Sequence, residues 1–199
     1  MKILIIGAHG TLGSAISRAL SHHTLVSAGR SQGDFRVDLT QSDSVQALFR
    51  ELGQVDAIVS AAGTGLHFGP LSTMTADDFR VGLDGKLMGQ VNLALVGQHH
   101  LSPGGSITLT SGIIGTPPIR QGSNASAVNA AIEGFVRGAA VELEQGRRIN
   151  VVSPNVLQES MAQYGDFFPG FEPVPAKRAA QAFRRSVEGV ETGQLIRVW

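Results

Sequence analysis

The stretch Lys2-Ile3-Leu4-Ile5-Ile6-Gly7-Ala8-His9-Gly10-Thr11-Leu12-Gly13 joins two signals. Residues 3–6 are an unbroken branched-apolar run, which suits a parallel strand buried on both faces. The run leads straight into three glycines, and a helical period follows over 12–20. A strand that turns through glycines into a helix presents backbone N–H groups to an anion. Without side chains, the corner can also turn tightly and approach a pyrophosphate. The spacing here is GxxGxxG, whereas the common dinucleotide fingerprint is GxGxxG, and glycine corners also serve packing alone. The position directly behind an apolar strand favours a nucleotide site, walled by Gly7, His9, Gly10, Thr11, Leu12 and Gly13.

The same alternation continues outward. Residues 25–28, 35–37, 55–59, 106–110, 149–152 and 195–198 read as further strands, and 45–52, 77–101 and 125–143 as further helices. Strands alternating with helices build βαβ units, so the expected fold is α/β: a doubly wound, Rossmann-like parallel sheet of about seven strands, spanning 1–199 as one domain. Only Gly29 to Asp34 separates the second and third strands, too short for a crossover helix, so the helix between them is expected to be missing. The Pro-rich stretch Phe167 to Pro175 falls in a segment, about 157–175, that reads as a loop or lid over a pocket.

Composition narrows the partners. Lys plus Arg equal Asp plus Glu at 16 each, with no long run of one sign, which argues against nucleic acid or an anionic membrane. There is no cysteine, so disulfides, thiolate nucleophiles and Cys metal sites are excluded. No span approaches the roughly 18 apolar residues of a membrane helix, and residues 3–6 are too few for a signal peptide. The expectation is a cytoplasmic globular protein. The 25 glycines are not periodic, which excludes collagen.

Arg30 lies twenty residues beyond Gly10, where an acid would read the ribose of NAD and an arginine accommodates the 2′-phosphate of NADP. A guanidinium pairs with phosphate through forked, charge-assisted hydrogen bonds, and His9 could add a second positive group. NADP is therefore favoured over NAD; the competing reading is a solvated arginine and a surface histidine.

With these residues in place the chain resembles the short-chain dehydrogenase/reductase family over essentially its whole length. After the glycine loop, Asp38-Leu39-Thr40 is similar to the segment whose Asp contacts adenine. Ser60-Ala61-Ala62-Gly63 resembles the Asn-Ala-Gly segment that supports the cofactor and the central sheet. Leu83-Asp84-Gly85-Lys86-Leu87-Met88-Gly89 matches the helix that usually carries an Asn of the active site. Leu109-Thr110-Ser111-Gly112 matches the strand end with the catalytic Ser. Arg148 to Pro154 matches the strand before the Pro-Gly turn at the nicotinamide, here Pro154-Asn155-Val156.

The resemblance implies a Tyr, and a Lys four residues later, on the helix after Ser111. Those positions hold Ala125 and Asn129, and the family's Asn position holds Lys86. Measured against the family pattern, Lys and Asn stand exchanged between the two helices, which suggests that Lys86 reaches the nicotinamide ribose from the other side while Asn129 completes the polar network. The competing reading sends Lys86 to solvent and leaves Asn129 bonded to backbone. For the proton donor, the candidates are Tyr164, the chain's one tyrosine, and His67, against lid packing and loop surface. Ser111 is a candidate to bond a substrate carbonyl. His22-His23 and His99-His100 lie near helix ends, and no local His/carboxylate spacing suggests a metal.

Two functions follow. One is an NADP(H)-dependent oxidoreductase of small carbonyl or alcohol substrates, using Ser111, Lys86, Asn129 and Tyr164. The other is an inactive NADP(H)-binding sensor or scaffold. The family's pairing of long helices implies a homodimer or homotetramer through 77–101 and 125–143.

Overall fold

Alternation along the first strand divides the interior. In β1 (Lys2–Ile6), Ile3 and Ile5 face one apolar layer while Leu4 and Ile6 face another. A parallel strand must be apolar on both sides to do this, which is why the run has no polar member. The computed structural model describes residues 1–62 and 65–199. Its elements after β1 are α1 (Thr11–Ala19), β2 (Thr24–Gly29), β3 (Phe35–Arg36), α2 (Ser42–Leu52), β4 (Val55–Ser60), α3 (Ala76–Gly82) and α4 (Met88–Gly97). Then follow β5 (Leu101–Thr110), α5 (Ser123–Ala140), β6 (Arg148–Pro154), α6 (Met161–Tyr164), α7 (Ala176–Glu188) and β7 (Leu195–Val198).

The strands form one seven-stranded sheet in the order β3-β2-β1-β4-β5-β6-β7, parallel throughout. Helices α1 and α7 cover one face, where Ile16, Ala180 and Phe183 meet Ile3, Ile5 and Val59. On the other face Val45, Phe49, Leu93, Val128 and Ile132 from α2, α4 and α5 meet Leu4, Ile58 and Ile107. No helix joins β2 to β3. Asp34 turns back onto β2 instead, accepting hydrogen bonds from the Ser27 backbone N–H at 2.8 Å and hydroxyl at 2.7 Å, and β3 pairs over two residues only.

The helix expected over 77–101 is not continuous. A π-helical turn, Leu83–Leu87, separates α3 from α4, and a 3₁₀ turn ends the segment at His100. Leu101 belongs to β5, which is longer than the sequence pattern indicated and slips register between its pairings with Val55 and Ala57. Helical periodicity alone could not show either break, since a π turn changes the facing of side chains without interrupting the apolar content.

Strand order reverses between β1 and its two neighbours, β2 and β4, so the crevice at the carboxyl ends of β1 and β4 is the expected ligand position in a sheet of this kind. The turn after β1 fits tightly there. Gly7 has φ +77°, and a Cβ on Gly13 would lie 2.0 Å from the Gly7 carbonyl oxygen. Gly13→Ala should therefore destabilise the chain by about 2–3 kcal/mol in urea unfolding, because backbone must move. Gly138→Ala on α5, where a Cβ meets nothing within 4 Å, should instead stabilise by about 0.5–1 kcal/mol.

Candidate functional site

A cleft of about 470 Å³ opens at that reversal, walled by Gly7, Gly10, Arg30, Asp38, Leu39, Ala61, Ala62, Lys86 and Gln90. Gly10 is the N-cap of α1 and brings no side-chain cap, which leaves the first-turn N–H groups to an anion. Gly7 packs against the backbone of Ala61 and Ala62, where a Cβ would lie 3.3 Å from the Ala62 nitrogen. These features fit the pyrophosphate of a dinucleotide. Arg30 stands at the far end with a side chain 72% exposed, 3.7 Å from Asp38 Oδ1, so its donors are free to grip a phosphate. Asp38 is held below the usual carboxylate range, first by hydrogen bonds from the Thr40 hydroxyl (2.8 Å) and N–H (3.0 Å), and last by the charge of Arg30.

His9 is exposed on the glycine loop but borders a different groove, beside Asp34, rather than the cleft that holds Arg30. Thr11, Leu12 and Gly13 form the start of α1. Gly63 lies outside the described residues.

A second pocket, about 480 Å³, adjoins the cleft. Lys86, Ser111, Asn129, Pro154, Asn155, Val156 and Tyr164 border it, with apolar walls from Leu66, Phe68, Ile113, Ile114 and Phe168. Lys86 and Gly65 are common to both cavities, so Lys86 stands where they meet.

Lys86 is buried at 6% exposure, against the competing reading that sends it to solvent. The π turn rolls it inward. Gly85 packs against the Gly65 Cα, and at Gly82 a Cβ would strike the Asn124 side chain, so the turn needs small residues on this face. The ammonium donates to the Ser111 carbonyl at 2.8 Å and to Asn129 Oδ1 at 2.7 Å. Lys86 and Asn129 therefore meet directly from opposite helices. Burial holds the Lys86 ammonium down to about 8, although the charge of Glu133 opposes the shift.

Glu133 was not singled out from the sequence. It is buried on α5, four residues after Asn129, and accepts the Ser111 hydroxyl at 2.9 Å. The usable signal was polar residues at helical spacing, Asn129 and Glu133, on the face that carries Val128, Ile132 and Val136 inward. Because the Ser111 hydroxyl is given to Glu133, it is not free to donate to a substrate carbonyl in this arrangement. Gln90 fixes the end of β5 by bonding both the N–H (2.8 Å) and the carbonyl (2.9 Å) of Thr110.

Ala125, at the position of the family's Tyr, is fully buried in an apolar cluster with Ile113 and Ile114. Of the two sequence candidates for a proton donor, Tyr164 borders the pocket, 39% exposed at the end of α6. His67 points elsewhere, with Nδ1 3.9 Å from Asp78. The turn after β6 takes Asn155 in place of glycine without positive φ. Its Nδ2 donates to the Glu172 carbonyl, tying the 157–175 segment down. Distant in sequence, His22 and His23 both reach Glu188 Oε1, at 2.8 and 3.2 Å, while Arg184 takes the other oxygen.

The family model described as enoyl-(acyl carrier protein) reductase matches residues 13–197. The chain belongs to the short-chain dehydrogenase/reductase family. A solved Listeria innocua protein is 47% identical, with TM-score 0.98 and 100% of both chains covered. A small-chain dehydrogenase solved in complex with NADPH is 25% identical, TM-score 0.87, covering 100% of this chain and 96% of its own. Among named relatives, a hydroxynaphthalene reductase of Aspergillus fumigatus is 28% identical over 138 residues, 67% of this chain and 50% of the relative. Versicolorin reductase 1 of Dothistroma septosporum is 30% identical over 160 residues, 74% of this chain and 59% of the relative. The chain thus spans about half the length of these relatives. No helix among the described residues is long and apolar enough to cross a membrane.

The depressed lysine has a consequence for stability. Between about pH 8 and the ordinary 10.5 the unfolded chain binds more protons at Lys86 than the folded one does. Stability from this group therefore rises with pH, by up to about 1.4 kcal/mol per pH unit, and is lowest below pH 8. Urea titrations across that window should show the wild type gaining up to about 3 kcal/mol relative to Lys86→Met.

Proposed function

We propose that this chain is an NADP(H)-dependent oxidoreductase of small carbonyl or alcohol substrates. The observation that carries the reading is Lys86 bonded to Asn129 where the dinucleotide cleft meets the apolar pocket. A bound reduced nicotinamide supplies hydride. The glycine corner and the start of α1 hold the pyrophosphate, Arg30 grips the 2′-phosphate, and Asp38 with Leu39 borders the adenine. Pro154, Asn155 and Val156 border the nicotinamide end, and Ala61 and Ala62 line the cleft floor. Lys86 and Asn129, fixed to each other, orient the cofactor at the junction. The apolar walls and the 157–175 segment exclude water and select a carbonyl or alcohol with apolar or aromatic substituents. The NADPH held by the 25% identical dehydrogenase supports the choice of cofactor.

A second reading, a dinucleotide-binding sensor without catalysis, draws on Ala125: a buried methyl stands where the family's acid would be. The two separate on whether NADPH is consumed or merely bound. In either case we infer a cytoplasmic homodimer or homotetramer, for which exposed Met88 and Leu95, seven residues apart on α4, offer apolar surface.

Calorimetric titration with NADPH and NADH tests the cofactor site. NADPH should bind at least about tenfold more tightly, and Arg30→Ala should remove most of that preference, about 1.4 kcal/mol, while leaving NADH affinity within about twofold. If neither nucleotide binds, both the oxidoreductase and the sensor fall.

A further inference from the structure

We propose that Lys86 itself is the catalytic acid and base, giving a proton to the substrate oxygen in reduction and taking it back in oxidation. This rests on the oxidoreductase reading and names the group that reading lacks. Three observations point to it. The first is geometric: Lys86 borders both the dinucleotide cleft and the apolar pocket and stands where the two meet. The second is elimination among the neighbours. The Ser111 hydroxyl is committed to Glu133, Ala125 has no polar atom, and His67 is turned to Asp78.

The third lies in the hydrogen bonds. An ammonium has three N–H donors, and two are taken by the Ser111 carbonyl and Asn129 Oδ1, its acceptors among the described residues. One N–H remains for a bound molecule. A neutral amine keeps two N–H donors and a lone pair, so it holds the same two acceptors and turns the lone pair to the substrate. The proton can leave or return without rewiring the interior. Tyr164 has no such anchorage, ending a four-residue helix in the covering segment.

In reduction the C=O π bond breaks, the substrate carbon takes the hydride that reduced nicotinamide supplies, and the oxygen takes the Lys86 proton as the N–H bond breaks. The neutral amine then regains a proton from water. Oxidation runs these transfers backwards. Burial brings the ammonium into the range where it exchanges protons near neutrality. Among the charged and titratable groups around it, Glu133 on α5 is the one whose charge acts on it; Tyr164 borders the pocket, Asp38 and Arg30 border the cleft, and Asp84 on its own turn is exposed. Glu133 is a positioning residue, holding Ser111 and favouring the protonated form of Lys86.

The test has two arms. The intact protein is labelled with trace acetic anhydride across a pH series and each lysine peptide is read by mass spectrometry, with exposed Lys177 as internal control. Lys86 should half-titrate near pH 8, and lower in Glu133→Gln; a Lys86 midpoint no different from that of Lys177 overturns the proposal. This arm needs no turnover and, for the wild type, no variant that might misfold. In the second arm, NADPH consumption with phenanthrenequinone should drop at least a hundredfold in Lys86→Ala and be partly restored by added methylamine or ethylamine. The loss should persist at saturating NADPH, whatever the change in NADPH affinity. Lys86→Ala at full rate with Tyr164→Phe inactive, or a loss confined to NADPH affinity, overturns the acid role and leaves the oxidoreductase standing. A wild type that binds NADPH and transfers no hydride overturns both.

Discussion

An ammonium held out of water organises the carboxyl end of this sheet. Removing Lys86 from solvent costs several kcal/mol unless acceptors surround it, and those acceptors come from elements far apart in the chain. The Ser111 carbonyl is available because the chain leaves β5 there, and the Asn129 amide arrives from α5. Gly112 and Gly115 keep the space beside them clear: a Cβ on the first would lie 3.2 Å from Asn129 Nδ2, and on the second 3.1 Å from Glu133 Oε1. The π turn supplies the remaining condition by facing Lys86 inward, where a continuous α-helix would turn it differently. Glu133 then answers the buried positive charge with a negative one and satisfies the Ser111 hydroxyl.

The two cavities follow from the sheet. Reversal of strand order at β1 leaves a crevice, and the glycine corner lets backbone rather than side chains line it. Further along the strand ends, β5 and β6 lead into Ser111 and Pro154, which border the second pocket. A cofactor lying along the strand ends would be gripped by rigid elements at its phosphates and delivered to the junction at Lys86. The segment beyond β6 is tied back by Asn155, by pairing of Leu157 with Val174, and by the Glu159 carboxylate on the N–H of Ala176 at the start of α7. It forms a seated wall of the pocket.

The strand and glycine signals were legible because they are local. Residues 3–6 must be apolar on both faces, and the short 29–34 link has no room for a helix, so sheet type and the missing crossover could be read directly. A joint role for Lys86 and Asn129 was expected only from the resemblance to the family, and their direct bond needed the fold, being a contact across 43 residues. Glu133 escaped because a lone acid in a helix reads as solvated unless its neighbours at four-residue spacing are weighed. The π turn left no trace in composition. The meeting of His22 and His23 with Glu188 spans 166 and 165 residues and was equally invisible to spacing.

An apolar wall stands beside the buried lysine. Ala125 belongs to a wall that is apolar throughout: Ile113 and Ile114, with Leu66, Phe68, Phe168 and Phe171 packed around them. Burial is what lowers the Lys86 pKa, and Ile113, Ile114, Leu66, Phe68 and Phe168 of that wall line the pocket that Lys86 borders. The same wall excludes water from the pocket, which makes each remaining dipole act more strongly on whatever lies between Lys86 and the nicotinamide. The polar centre thus stands against an apolar wall, at the point where a single lysine touches both cavities.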